Sequence, residues 1–135
     1  MTARRVAIVV QRYGVEVNGG AEQHARWLAE RLAEHSTAGE ATEVTVLTTC
    51  ALDYITWADH YPAGEEAING VRVRRFPVDA PRDWKSSQRQ TRLVTTHQHT
   101  LFDEVAWVKD QGPFSSPLFT AIRRAYETTD ALILY

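Results

Sequence analysis

The chain opens its pattern with Val6-Ala7-Ile8-Val9-Val10, a continuous apolar run rich in β-branched residues, which is how a strand covered on both faces reads. A polar, glycine-bearing stretch, Gln11 to Gly20, separates it from a helical pattern. Ala21, Ala25, Leu28 and Leu32 recur at spacings of three and four, widened by Ala29 and Ala33, while Glu22, Arg26, Glu30, Arg31 and Glu34 take the other face. This helix is predicted to end near His35, with Gly39 just beyond. Val44 to Thr48 predicts a second strand, which completes a βαβ unit whose crossover is expected to be right-handed. Cys50 to Gly64 has no clean period and predicts a long loop with a helical turn.

Asn69-Gly70 is a turn signal, and Val71 to Val78, closed by Pro77 and Pro81, predicts a third strand. Asp79 to Lys85 reads as loop, and Ser86 to Lys109 as one poorly amphipathic helix broken by Gly112-Pro113. Ser116-Pro117 predicts a further helix start, with Ser116 as N-cap and Pro117 at the first position. That helix carries Leu118, Ile122 and Ala125 on one face and ends near Thr129. Asp130 leads into Ala131 to Tyr135, a fourth pattern of the buried-strand kind. The sum is an α/β fold with an open parallel sheet and flanking helices. A buried parallel strand is normally followed by a covering helix, so ending on Tyr135 suggests a fragment of a longer protein.

Composition narrows the classes without naming one. At 135 residues the chain suffices for one domain, and 44% hydrophobic with 24% charged residues is ordinary for a globular protein. A net charge of -2 argues against a nucleic-acid binder, which needs a basic surface. Cys50 is the single cysteine, so neither an intrachain disulfide nor a cysteine metal cluster can form. The polar segment Met1–Arg5 and the short run after it do not make a signal peptide, and no stretch approaches the ~20 apolar residues of a membrane span. The expected location is cytoplasmic, with peripheral membrane contact left open.

The candidate chemistry concentrates in Asn18-Gly19-Gly20-Ala21-Glu22, between the first strand and the first helix. Ligands of open α/β sheets bind outside the carboxyl ends of the strands. Adjacent glycines let the backbone approach a ligand, and the N–H groups and dipole of the helix start favour an anion. This is no dinucleotide fingerprint, since Gly14 is separated from Gly19 by four residues, and no P-loop, since no Gly-Lys-Ser/Thr follows. On spacing alone, a plain tight turn explains the glycine pair equally well.

The order of several features resembles the opening of a family 4 glycosyltransferase of the GT-B fold. These are the strand Val6–Val10, the loop ending Gly19-Gly20-Ala21-Glu22, the helix with Leu28-Ala29 and Leu32, and Glu43-Val44-Thr45-Val46-Leu47-Thr48. Asn69-Gly70-Val71-Arg72-Val73 and Arg75-Phe76-Pro77 match the family's third strand. The resemblance spans Arg5 to Val78 and, more loosely, Gly112 to Tyr135. It implies that residues 1–135 are part of an N-terminal, Rossmann-like, acceptor-side domain. It further implies a second domain for the nucleotide-sugar, and sugar transfer from a nucleoside-diphosphate donor to a carbohydrate or lipid-linked acceptor with retention. No cofactor or bound metal is implied. Gly19 and Gly20 would approach the donor diphosphate, with Glu22 and His24 on the first turns behind them. The family's paired glutamates belong to the second domain, and the histidine that several members place after the fourth strand would lie beyond Tyr135. The chain alone is therefore expected to be inactive. The alternative is a stand-alone flavodoxin-like module that binds a small anion or nucleotide at the same loop without catalysis.

Other residues have a functional and a plain reading each. His24 faces away from the apolar stripe and suits either a ligand contact or a solvated surface. Glu22 near a helix N-terminus is stabilising even without a ligand. Tyr54 and Trp57, in the long loop, could stack on an acceptor sugar or pack inward. His97, His99 and Asp103 offer metal-type ligands but lack a full set, and Ser115 and Ser116 lack a nucleophile elbow. Cys50 lines either a cleft or the core. Arg82, Lys85, Arg89 and Arg92 around Trp84 suit anionic headgroups, an acidic acceptor or plain solvation.

Overall fold

The computed structural model describes residues 3–36 and 39–135, so Met1 and Thr2 of the polar N-terminal segment lie outside the described residues. The strands are β1 (Arg4–Val9), β2 (Thr42–Thr49), β3 (Gly64–Ile68), β4 (Val71–Phe76) and β5 (Ala131–Leu134). The helices are α1 (Gly20–Glu34), α2 (Trp84–Thr96), α3 (Leu101–Gln111) and α4 (Ser116–Thr128). One five-stranded sheet runs β3-β4-β2-β1-β5. All neighbours are parallel except the β3–β4 hairpin.

Taken alone, the parallel strands follow the order third, second, first, fourth. This is the Rossmann-like order, in which the chain steps outward from β1 and then returns to its other side. A flavodoxin-like sheet would seat the third parallel strand beside the first, so that topology is corrected for the alternative reading. The reversal falls between β1 and β5, and the crevice of such a sheet opens outside their carboxyl ends.

Both faces of β1 are covered, as its unbroken apolar run demands. Ile8 joins Ala25 and Ala29 of α1, Val44 and Val46 of β2, and Val71 and Val73 of β4 in one core layer. Ala7 and Val9 join Leu47 and the α4 residues Leu118, Ala121 and Ala125 in the other. The α1 stripe begins at Ala25, and Ala21 is exposed at the helix mouth. β5 pairs with β1 on one side only, so it is half covered rather than buried, and Leu134 is largely exposed.

Three further expectations are corrected. The loop expected over Cys50–Gly64 gives way at Gly64 to a strand, Gly64–Ile68, that the pattern did not predict. Its Gly-Glu-Glu-Ala sequence has poor strand propensity, and the hairpin turn and cross-strand ion pairs help hold it on β4. Glu65 holds Arg72 at 2.7 Å, and Glu66 holds Arg75 at 3.0 Å. Asn69 and Gly70, both at positive φ, make the two-residue turn. At the last helix, Ser115 rather than Ser116 is the N-cap: its hydroxyl accepts from the Leu118 N–H and donates to the Pro77 carbonyl at 2.7 Å. Pro77 thus closes β4 and anchors α4.

The third correction concerns the long helix expected over Ser86–Lys109, which is two helices with a break at His97–Thr100. Thr100 and Asp103 form a reciprocal capping box that starts α3 afresh. Thr100→Ala should cost α3 about 1 kcal/mol. Amide exchange is the measurement: protection should fall at Asp103 and Glu104 while β1 and β2 keep theirs, and unchanged protection would remove the cap from this account.

Candidate functional site

The loop from Gln11 to Gly19 is shaped from within. Tyr13 is fully buried and plugs the loop into the α1-side core, and Val17 is nearly buried. Burial and the nearby Glu30 carboxylate push the Tyr13 hydroxyl up to about 12, so it stays a neutral phenol. The Val17 N–H donates to the Gly14 carbonyl. Gly14 lies against Tyr61, whose hydroxyl donates to Glu16 at 2.6 Å.

Arg12 ties the loop to its surroundings. Its Nε and Nη2 donate to Glu22 Oε1 at 3.0 and 2.7 Å. Nη2 also reaches the Asn18 carbonyl at 2.8 Å, and Nη1 the Leu52 carbonyl at 3.0 Å. The Tyr54 ring lies 5.5 Å from the guanidinium. One side chain thereby joins the glycine loop, the first turn of α1 and the loop after β2. Both partners of the ion pair are nearly buried, at 8% and 12% side-chain exposure.

Gly19 is the N-cap of α1 and carries no side chain to cap it. The first-turn N–H groups have no intrahelical acceptor, and the dipole adds positive character there. Gly20 is exposed, and nothing lies within 4 Å of where its Cβ would be. The helix mouth is therefore open on the Gly20 side and closed on the Gly19 side, where the Glu22 carboxylate lies. His24 is exposed one turn in, and its Nδ1 meets the Tyr135 hydroxyl at 2.6 Å. The Tyr135 N–H donates to the Val9 carbonyl, which places this contact at the carboxyl ends of β1 and β5.

Gly19, Gly20, Glu22 and His24 thus converge on one edge of the sheet. Glu22, however, is committed to Arg12 rather than presented to a ligand. Arg12 was missed from the sequence, where a lone arginine after a strand carries no signal of its partner ten residues on.

The acceptor-side pair Tyr54 and Trp57 is divided. Tyr54 is exposed, but Trp57 is buried with a φ of 55° and offers no stacking face, which corrects its reading as a sugar platform. The turn that buries it is locked by Asp53, which accepts from the Ile55 and Thr56 N–H groups, both at 2.8 Å. Arg82 locks it from the other side by donating to the carbonyls of Tyr54, Ile55, Asp110 and Gln111. The guanidinium is thereby withdrawn from the basic stretch, and Lys85, Arg89 and Arg92 remain exposed on α2.

Cys50 is a core residue: burial pushes its thiol up to about 11, which keeps it protonated and unreactive. The Asp103 carboxylate is taken by the Thr100 cap, and His99 Nε2 meets Glu104 at 2.8 Å. Among the described residues, no group of three or more His, Cys, Asp or Glu is placed to hold a metal ion. No helix among them is long and apolar enough to cross a membrane.

Comparison of the chain with models of known protein families, with curated proteins and with solved structures finds no match in any of the three.

Proposed function

We propose that the chain is part of the acceptor-side Rossmann-like domain of a retaining, nucleoside-diphosphate-sugar-dependent glycosyltransferase of the family 4 type. The observation that carries this reading is the uncapped start of α1 at Gly19-Gly20, set at the carboxyl edge beside the β1–β5 reversal. A diphosphate is the ligand chemistry such a mouth favours, because oriented N–H groups and the helix dipole both stabilise an anion. In this reading Gly20 gives the phosphate its close approach. Arg12 neutralises Glu22, so the carboxylate does not repel the donor. His24 and Tyr135 line the way between donor and acceptor. The acceptor is a carbohydrate or a lipid-linked carbohydrate. Chemistry needs the second domain, and the protein works in the cytoplasm, where nucleotide-sugars are available.

The test is made on the protein purified from its native source. Its intact mass should exceed twice the 15.3 kDa of this chain, and it should release nucleoside diphosphate from one member of a panel of nucleotide-sugars. A native protein of this chain's own mass that turns over no donor would overturn the transferase. If inorganic pyrophosphate then still shifted the Gly19 and Gly20 amides, the small anion-binding module would stand in its place.

A further inference from the structure

With Trp57 turned inward, Trp27 on α1 and Trp84 are the exposed indoles, at 54% and 41%, and Trp84 is the one that Arg82 joins to the loop after β2. Asp83 caps α2 by accepting from the Ser86 N–H at 3.0 Å, and this makes Trp84 the first residue of the helix. Arg82, already fixed by backbone carbonyls, lies 5.2 Å from the Trp84 ring and lines the same groove as the indole. This groove, of about 520 Å³, runs along α2. Gln88, Arg92 and Thr95 line it further along the helix, and Gln111 contributes from the end of α3. Among the described residues, the side chains of Gln88 and Arg92 make no hydrogen bond or ion pair, so their donors and acceptors are free for a ligand.

We propose that this groove is a saccharide-binding subsite that takes a neutral pyranoside with its C–H face on Trp84. A pyranose carries an apolar face of weakly positive C–H groups and a rim of hydroxyls. The electron-rich face of an indole meets the first, since an aromatic ring is negative over its face. An amide and a guanidinium in the same groove satisfy the second, which is the usual makeup of a small-ligand site: an aromatic wall and a few placed polar groups. Contact with the fixed Arg82 guanidinium holds the ring still, so little rotamer freedom is lost when a sugar docks.

Contacts connect the groove to the glycine loop. Arg82 donates to the Tyr54 carbonyl, the Tyr54 ring lies over Arg12, and Arg12 bonds Glu22 and Asn18. Its place in a reaction, as the acceptor subsite, rests on the transferase reading; its binding of a sugar does not.

The experiment uses the ¹⁵N-labelled chain and reads its four indole N–H signals. Methyl glycosides of glucose, galactose, mannose and N-acetylglucosamine are titrated in turn. One of them should shift the Trp84 signal with a millimolar dissociation constant and leave Trp57 in place. Trp84→Ala should weaken that binding by roughly tenfold or more. Trp84→Phe, which keeps a ring, should retain part of it, and Gln88→Ala should weaken binding with the indole intact. No shift of Trp84 with any glycoside, or binding indifferent to all three substitutions, would overturn the subsite. The two ideas fail separately. Glycoside binding at Trp84 in a protein that turns over no nucleotide-sugar keeps the subsite and removes the transferase. Turnover whose acceptor KM is unmoved by Trp84→Phe and Gln88→Ala keeps the transferase and removes the groove as its acceptor subsite.

Discussion

Arg12→Ala is expected to destabilise the fold by about 3–5 kcal/mol, because it leaves the Glu22 carboxylate nearly buried without its counter-ion. The guanidinium makes two bonds to one carboxylate oxygen and one each to the carbonyls of Asn18 and Leu52. An exposed ion pair would be worth little, but these side chains keep only 8% and 12% of their exposure. Removing both charges is a different matter. Arg12→Met with Glu22→Leu should recover most of the loss, since a buried pair replaced by well-packed apolar groups is often neutral. Urea unfolding of the two variants and the parent measures this. A single-variant loss below about 1 kcal/mol would mean that water screens the pair after all. In amide exchange, the damage should centre on residues 12–22 and 50–54, the segments Arg12 joins.

The second large effect separates two adjacent glycines. Gly19 has φ 149° and ψ 144°, a region essentially reserved for glycine, and a residue forced there costs about 1–3 kcal/mol. A Cβ at Gly19 would also stand 2.1 Å from Glu22 Oε2 and 3.1 Å from Arg12 Nη2. A free carboxylate would swing aside, but this one is held, so Gly19→Ala must strain the backbone and dislodge the ion pair together. The expected loss is about 3 kcal/mol, and under the proposed function the variant should also fail to bind pyrophosphate at the helix mouth. Gly20→Ala is the control. It meets nothing within 4 Å and sits at the first position of a helix, where alanine is preferred by up to about 1 kcal/mol. Its stability should hold or rise slightly. Equal losses for the two variants would show that the Gly19 conformation is not what the loop depends on.

The contrast shows where the sequence was readable. Gly19-Gly20 stands out as a pair, and its position between a strand and a helix follows from periodicity alone. Which glycine is obligatory does not, because that depends on a carboxylate brought back by Arg12. Trp57 and Trp84 are a second case. Both lie in polar, aperiodic surroundings, and nothing local says which ring faces inward. Asp53 and Arg82 decide it, and Arg82 does so through carbonyls about 28 residues away in both directions.

The repeating patterns carried far. Val6–Val10, Val44–Thr48, Val71–Val78 and the Ala25–Leu32 stripe were legible because covering a strand or a helix face imposes a period that short segments display by themselves. The α/β class and the parallel sheet follow from their alternation. Properties set by pairs of distant residues were not legible. β3 forms against its own propensity, where the Asn69-Gly70 turn folds it back on β4 and Glu65 and Glu66 meet arginines across the hairpin. The break between α2 and α3 turns on a reciprocal cap that the weak helical pattern around it concealed. The side of the sheet on which β5 lies is a matter of global packing, since an apolar run pairs as well with one edge as with the other. That choice set the reversal beside β1, and with it the edge where Gly19, Gly20, His24 and Tyr135 come together. Local sequence encodes which residues seek cover, and the distant residues that cover them encode where the site opens.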